Sequence, residues 1–329
     1  MCVTATSQAI KKNNPRDLRN PRSKKLSHYK NNPRAPTIQQ KINIFNPLRN
    51  RILKKKIAIQ GIESSFHEEA AYKYFGQDLE TIECLSFQDL CDSLKNEEAD
   101  FAVMAIENSI AGSLLQNYGL LQEFNFRIIG EVFLRIRMNL MALPGTRIED
   151  LKIAQSHPIA IRQCSQFLKG LNGVLLEEKE DTALCAKQIA DQKIENVAAV
   201  ASESAAKIFG LEILAKGIET NKQNFTRFLI LSRVADKSNA DNKATLFFQL
   251  PHDPGALAKI LNILAAYSIN LTKIQSVPIV GKPYEYNFHV DMEWELYSSF
   301  KKAMQKVEEI AVNLEILGEY KKGKVDITA

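Results

Sequence analysis

From Lys56 onward, apolar and polar positions alternate in short blocks whose period switches between two and about 3.6. Residues 56–61 read as a strand ending at Gly61, and residues 65–74 as a helix with Ser65 as N-cap and Glu68 and Glu69 favourably placed in its first turn. A helix is expected over 85–96, a strand over 101–106, a helix near 113–124, and strands near 126–135 and 138–142. After the turn at Pro144-Gly145, a strand over 152–155 leads into helices over 159–168, 181–191 and 202–209, with a strand over 198–201 before the last. The apolar run Leu229-Ile230-Leu231 reads as a further buried strand. This alternation predicts an α/β unit with largely parallel sheets, long enough for two lobes.

The pattern lapses over 234–243, a polar stretch that reads as a linker. Beyond it the order is strand 244–250, helix 254–267, strand 270–280, strand 284–293, helix 297–311 and strand 313–320. That is βαββαβ, the ferredoxin-like order. Asp253-Pro254-Gly255 is a good helix start, an N-cap acid followed by Pro at the first helical position.

Composition changes the picture at one end only. Of the chain's 329 residues, the first 56 hold 15 Lys and Arg against one acid, Asp17, a net +14. The remainder carries 28 bases and 37 acids, a net −9. The basic leader lacks the helical period and aromatic interleaving of a nucleic-acid arm, and its Asn, Pro and Lys richness reads as a disordered tail, a transit peptide or a mis-set start. Five cysteines form no CxxC pair and five histidines show no ligand spacing, so neither a disulfide framework nor a metal site is expected. No apolar run approaches the roughly 20 residues needed to span a bilayer. These features favour a cytoplasmic chain, or a plastid one if the leader is a transit peptide.

Candidate chemistry gathers where strands hand over to helices. Glu107, Asn108 and Ser109 follow the strand 101–106, with Gly112 opening the next helix. Ser156-His157-Pro158 and Ser202 occupy equivalent turns, and Ser64-Ser65-Phe66-His67 a fourth. Such turns line clefts in α/β folds and suit anionic ligands. His157, before a proline, reads as a loop-positioning donor, and Cys164 as a core residue. Asn224-Phe225-Thr226-Arg227-Phe228 sets a hydroxyl beside a guanidinium at the mouth of the strand that follows. On this pentapeptide alone, a ligand site and an ordinary strand edge are equally good readings.

Taken together, Gly61 to His67, Ile106-Glu107-Asn108-Ser109 with Gly112, Ser156-His157-Pro158 with Gln163-Cys164, Ala201-Ser202 with Ala205-Ala206, and residues 224–228 resemble the prephenate dehydratase family over about 57–232. The βαββαβ unit resembles an ACT regulatory domain, with residues 254–257 at the effector turn. The resemblance implies a two-lobed catalytic domain like the type II periplasmic binding proteins over 56–233, a linker over 234–243 and an ACT domain over 244–322. It implies decarboxylating dehydration of prephenate to phenylpyruvate in phenylalanine biosynthesis, with no cofactor. Thr226 and Arg227 are the expected catalytic pair, with Ser65, Glu107, Asn108, Ser109, Gly112, Ser156, His157, Ser202, Asn224, Phe225 and Phe228 as substrate contacts. Phenylalanine is the expected effector, at Asp253, Gly255, Ala256 and Leu257 of one subunit and Gln275, Ser276 and Pro278 of its partner, in a homodimer or homotetramer joined through the ACT domains. Arogenate dehydratase is the alternative activity, and a non-catalytic amino-acid sensor the alternative of another class. No chorismate mutase helix is expected within residues 1–55.

Four positions depart from the family pattern. The first turn, Gly61-Ile62-Glu63-Ser64-Ser65-Phe66, lacks the usual Pro and second Gly. Met138 stands where a His is common, Ile159 where a Gln is common, and Gln275-Ser276-Val277-Pro278 replaces Glu-Ser-Arg-Pro at the effector site.

Overall fold

The structure, a computed structural model, describes residues 54–236, 238 and 241–326. The reading of the leader therefore falls almost wholly outside the described residues. In chain order the elements are β1 Lys55–Gln60, α1 Phe66–Phe75, β2 Leu79–Cys84, α2 Phe87–Lys95, β3 Phe101–Asn108, β4 Gly112–Ser113, α3 Leu115–Phe124 and β5 Arg127–Arg135. The second group is β6 Asn139–Ala142, β7 Ile153–Ser156, α4 Pro158–Gln163, α5 Ser165–Leu168, β8 Leu175–Glu178, α6 Thr182–Gln192, β9 Val197–Ala201, α7 Glu203–Phe209 and β10 Glu212–Ala215. Then follow β11 Phe225–Ser232, β12 Lys243–Gln249, α8 Ala256–Ala266, β13 Asn270–Pro278, β14 Tyr286–Glu293, α9 Tyr297–Glu308 and β15 Val312–Tyr320.

Two sheets make the two expected lobes. Lobe one has the order β2-β1-β3-β11-β5, with the short β4 paired to β3; lobe two has the order β10-β6-β9-β7-β8. The chain crosses after β5 and returns into β11. The expectation of largely parallel sheets needs correction. Strands β2, β1 and β3 are parallel, as are β8, β7 and β9, but β11 runs antiparallel to both neighbours, and β6 runs antiparallel to β9 and β10. A parallel neighbour needs a crossover, usually a helix. Strand β11 enters lobe one straight from lobe two without one.

Of the strands that sequence patterning missed, β2, β8 and β10 are edge strands, and the two-residue β4, where the helix was expected to open, pairs with β3 alone. Strand β8 reads Leu-Leu-Glu-Glu and is almost wholly exposed, so it carries neither an apolar run nor clean alternation. The central β9, Val-Ala-Ala-Val-Ala, is buried at every position and was legible for that reason. The helix expected over 159–168 breaks at Cys164 into α4 and α5.

The last six elements form the expected βαββαβ unit, with sheet order β13-β14-β12-β15. Its first strand begins at Lys243, inside the segment expected to be linker, and that lysine is buried. One sheet face is covered by α8 and α9, whose Ile260, Leu264, Phe300, Met304 and Val307 pack on Leu246, Phe248, Val290 and Met292. The opposite face meets lobe one, where Leu317 and Tyr320 join the core of Leu121, Phe126 and Ile128. Gly318 makes this approach possible, because a Cβ there would collide with the Ile128 carbonyl oxygen.

Candidate active site between the lobes

A cavity of about 540 Å³ lies between the lobes. Lobe one contributes Ser65, Phe66, His67, Asn108, Ser113, Thr226 and Phe228 to its wall. His157, Ile159, Gln163, Asp181 and Thr182 line the facing side, and Ile136 and Met138 of the segment joining β5 to β6 close the back. The N-terminal turns of α1, α4 and α6 all open onto it, capped by Ser65, His157 and Asp181. Each leaves backbone N–H groups without helical acceptors and presents the positive end of its dipole. Gly61 (φ 95°) keeps the lobes close here, since a Cβ would sit 3.2 Å from the Asp181 carboxylate.

The most ordered part of the wall is a net of side-chain amides around Thr226. Asn108 Oδ1 accepts from the backbone N–H groups of Ala111 (2.8 Å) and Ile110 (3.0 Å). That fixes which end of the amide is which. Asn108 Nδ2 therefore donates, to Asn224 Oδ1 at 2.8 Å and to Thr226 Oγ at 3.0 Å. Asn224 Nδ2 in turn donates to Gln163 Oε1 of lobe two at 2.8 Å. Because Thr226 Oγ accepts from Asn108, its own proton is directed elsewhere, and the open side is the cavity. Thr226 and Asn108 face each other in the β3/β11 ladder.

Arg227 corrects the sequence reading. It is 5% exposed and lies on the far side of β11 from the cavity. Successive residues of a strand point to opposite faces, so Thr226 and Arg227 do not converge on one ligand. The guanidinium donates to Glu131 Oε2 at 2.6 Å, to the Tyr320 hydroxyl at 3.0 Å and to Asp291 Oδ2. Burial works against the charge on Arg227, but Asp291, Tyr320 and Glu131 outweigh it and hold the guanidinium protonated. Asp291 is likewise kept below the usual carboxylate range: burial opposes this, and Arg227 and the Thr245 hydroxyl prevail.

Ser65, Asn108, His157 and Phe228 line the cavity as expected, and Asn224 stands directly behind Thr226. Others among the expected contacts are committed elsewhere. Ser156 Oγ donates to the Val200 carbonyl at 2.6 Å and is fully buried. Ser109 Oγ bridges the Gln223 carbonyl and the Phe225 N–H. Glu107 pairs with Lys273 of the C-terminal domain at 2.7 Å, and Phe225 and Gly112 lie outside the cavity wall. Ser202 caps α7 and donates to the Ser64 carbonyl at 2.9 Å, a bond between the lobes.

His67, Gln163, Asp181 and Thr182 are among the lining residues absent from the expected substrate contacts. His67 and Gln163 stand inside the motifs that carry the resemblance. Asp181 caps a helix after a strand, as the four recognised turns do, but its strand is the unrecognised β8. Among the described residues the wall holds no Lys or Arg. Burial lowers the pKa of both imidazoles, His67 to about 3 and His157 in the same direction, so neither supplies a cation near neutrality. The cations Arg135, Arg137, Lys216 and Lys222 line a separate pocket that alternates with the cavity along the segment joining β5 to β6: Arg135, Arg137 and Asn139 face one way, Ile136 and Met138 the other. The described cysteines are buried thiols with pKa values of about 11 to 12, which makes them poor nucleophiles. Among the described residues no group of three His, Cys, Asp or Glu could hold a metal ion, and no helix is long and apolar enough to cross a membrane.

A two-lobed cleft with a hydroxyl donor and converging helix N-termini suits a small anionic ligand, and the relatives give the class, a dehydratase. The family follows from comparison: the prephenate dehydratase family model matches residues 57–236, and the chain belongs to that family. A curated relative, arogenate dehydratase/prephenate dehydratase 2, chloroplastic, of Arabidopsis thaliana is 40% identical, over 80% of this chain and 72% of the relative. The solved prephenate dehydratase of Arthrobacter aurescens in complex with L-Phe is 28% identical with a TM-score of 0.73, covering 81% of this chain and 89% of that one. A structure described as GqqA, a novel type of quorum quenching acylase, is 30% identical with a TM-score of 0.74, covering 82% and 98%.

A second cavity of about 580 Å³ lies on the C-terminal domain. It is lined by Leu250, Pro251, His252, Asp253, Ala256, Leu257, Tyr284, Tyr286 and Phe288. It contains three of the expected effector residues, with Gly255 (φ 81°) in the same turn. Gln275, Ser276 and Pro278 lie on the edge strand β13, outside this cavity.

Proposed function

We propose that the chain converts prephenate to phenylpyruvate, carbon dioxide and water, with Thr226 at the departing ring hydroxyl. The observation that carries this reading is the polarity of the Asn108–Thr226 hydrogen bond, which leaves the Thr226 proton free for a ligand in the cleft. As the ring carbon–oxygen bond breaks, negative charge develops on the leaving oxygen, and the Thr226 hydroxyl donates to it. The electron pair of the carbon–carboxylate bond moves into the ring, carbon dioxide departs, and the ring becomes aromatic. The hydroxyl leaves as water once protonated, and solvent restores any proton that Thr226 gives up. Such assistance is worth about 10²–10⁴-fold in rate. A Thr hydroxyl is a weak acid, so most of its effect is stabilisation of the developing oxyanion.

With Arg227 turned away, the N-terminal turn of α1 is left for a substrate carboxylate, because the Asp181 carboxylate already accepts from the first turn of α6 and His157 Nδ1 from the Ile159 N–H of α4. The apolar walls at Phe66, Phe228, Ile136 and Met138 exclude water and take the ring. Incubating the purified chain with prephenate and, separately, with arogenate tests the reading. Phenylpyruvate from prephenate supports it, and turnover of arogenate alone reassigns the substrate.

The C-terminal domain is read as an ACT domain, and its cavity at Asp253, Ala256 and Leu257 as one half of a phenylalanine site. The N-terminus of α8 faces that ligand's carboxylate, and the partner's β13 edge would complete the site in a homodimer or homotetramer. Calorimetry with phenylalanine at millimolar concentration tests this, and no heat of binding contradicts it. We read the protein as cytoplasmic, or plastidic if residues 1–55 act as a transit peptide; a fluorescent fusion of the full chain distinguishes the two.

A further inference from the structure

The face of β3 and β11 opposite the cavity bears two ion pairs to the C-terminal domain. Both fall on the residues next to the Asn108–Thr226 bond. Arg227 and Glu107 lie opposite each other in the ladder, one step from the Thr226 and Asn108 pair. Arg227 is gripped by Asp291 of β14 and by Tyr320 of β15. Glu107 is gripped by Lys273 of β13 at 2.7 Å, and the same ammonium donates to Ser113 Oγ at 3.0 Å. Ser113 lines the cavity.

The grip is stiff because its members are held in turn. Thr245 Oγ donates to Asp291 Oδ1 at 2.6 Å and lies 2.6 Å from the Tyr320 hydroxyl. Glu131, the other partner of Arg227, also accepts from Lys243 at 3.0 Å and from the Gly323 N–H at 2.9 Å. Among these, Arg227, Glu131, Lys243 and Asp291 are buried. Buried charge pairs lose heavily when one member moves away, so the two strands and the domain shift together or not at all.

We infer that Lys273 and Asp291 are positioning residues for the dehydration, acting through Glu107 and Arg227 to set the geometry of the Asn108–Thr226 hydrogen bond. The inference rests on the reading of Thr226 as the donor to the leaving hydroxyl. It gives the C-terminal domain a direct hold on the reacting geometry: a ligand that displaces β13 or β14 against lobe one pulls on both sides of that bond.

The test is a double-mutant cycle in the full chain with prephenate as substrate. Lys273→Met and Asp291→Asn are each measured alone and in combination with Thr226→Ala, with thermal melting to confirm folding. Each single variant is expected to lower kcat by roughly 2- to 30-fold, the span of positional couplings of this kind, with KM nearly unchanged. Lys273→Arg is expected to restore most of the rate. In the Thr226→Ala background the same substitutions should have almost no further effect, because they act through that hydroxyl. A wild-type kcat in Lys273→Met, or an equal loss with and without Thr226, overturns the inference while leaving Thr226 in place. A wild-type kcat in Thr226→Ala alone overturns the reading of Thr226 and the inference with it. Lys273 and Glu107 lie nearer the surface than Asp291, so Lys273→Met decides the matter even if Asp291→Asn does not fold.

Discussion

The two faces of the β3/β11 pair are built from neighbouring residues and made for opposite ends. Toward the cleft stand Asn108, Thr226 and, behind them, Asn224: neutral groups joined by hydrogen bonds, with one hydroxyl proton left over. Toward the C-terminal domain stand Glu107 and Arg227, both charged and both paired. The difference teaches that charge is used here to fasten one domain to another. In the proposed mechanism the chemistry falls to a preorganised neutral donor, which stays in the right protonation state at any moderate pH.

The largest expected effect separates the faces by rate. Thr226→Ala should lower kcat by about 10²–10⁴-fold while leaving the melting temperature nearly unchanged, as steady-state kinetics and a thermal scan on the same preparation will show. On the other face the loss should fall mainly on stability, with a smaller loss of rate. Arg227→Met leaves Asp291 a buried carboxylate without its cation and leaves Glu131 with Lys243 alone, and denaturant titration should show a loss of about 3–5 kcal/mol. If Arg227→Met instead left stability intact and abolished turnover at saturating substrate, the division between the faces would be wrong.

Two serines sharpen the contrast at lower cost. Ser156→Ala removes the donor to the Val200 carbonyl and should destabilise by about 1–3 kcal/mol with kcat unchanged, measured by denaturation and kinetics together. Ser64 occupies the place of the family's second glycine with a left-handed backbone (φ 68°), and its buried hydroxyl lacks a hydrogen-bond partner. Ser64→Gly should therefore stabilise by about 1–2 kcal/mol in the same assay.

A further expected effect is on pH dependence. Burial raises the Glu69 carboxyl to about 7 despite its bond to Ser202 across the lobes. The unfolded chain loses this proton near 4.5 and the folded chain keeps it, so Glu69 makes stability fall as pH rises from about 4.5 to about 7. Glu69→Gln should flatten that part of a melting-temperature profile.

How much of this was legible in the sequence depended on burial. Central strands such as β3 and β9 announce themselves as apolar runs, and the strand-to-helix turns at Ser65, Asn108, His157 and Ser202 follow from them. The edge strand β8 has no such signal, and with it Asp181 was lost from the list of lining residues. Hydroxyls posed a different difficulty. Ser156, Ser109 and Ser202 sit in the expected turns but spend their bonds on backbone groups, and only three-dimensional register shows which hydroxyl is left over. Arg227 follows Thr226 in sequence, but the two-residue period of a strand turns it to the opposite face. Its partners Asp291 and Tyr320 lie 64 and 93 residues away and carried no local sign.

In the proposed mechanism the Thr226 hydroxyl donates to the leaving oxygen. The most direct measurement is the rate of phenylpyruvate formation from saturating prephenate by Thr226→Ser and Thr226→Val, each confirmed folded by melting temperature. Serine keeps the hydroxyl and valine replaces it with a methyl of similar shape. The serine variant should retain most of the wild-type kcat and the valine variant should fall by at least about 10²-fold. Equal rates in the two variants would contradict it.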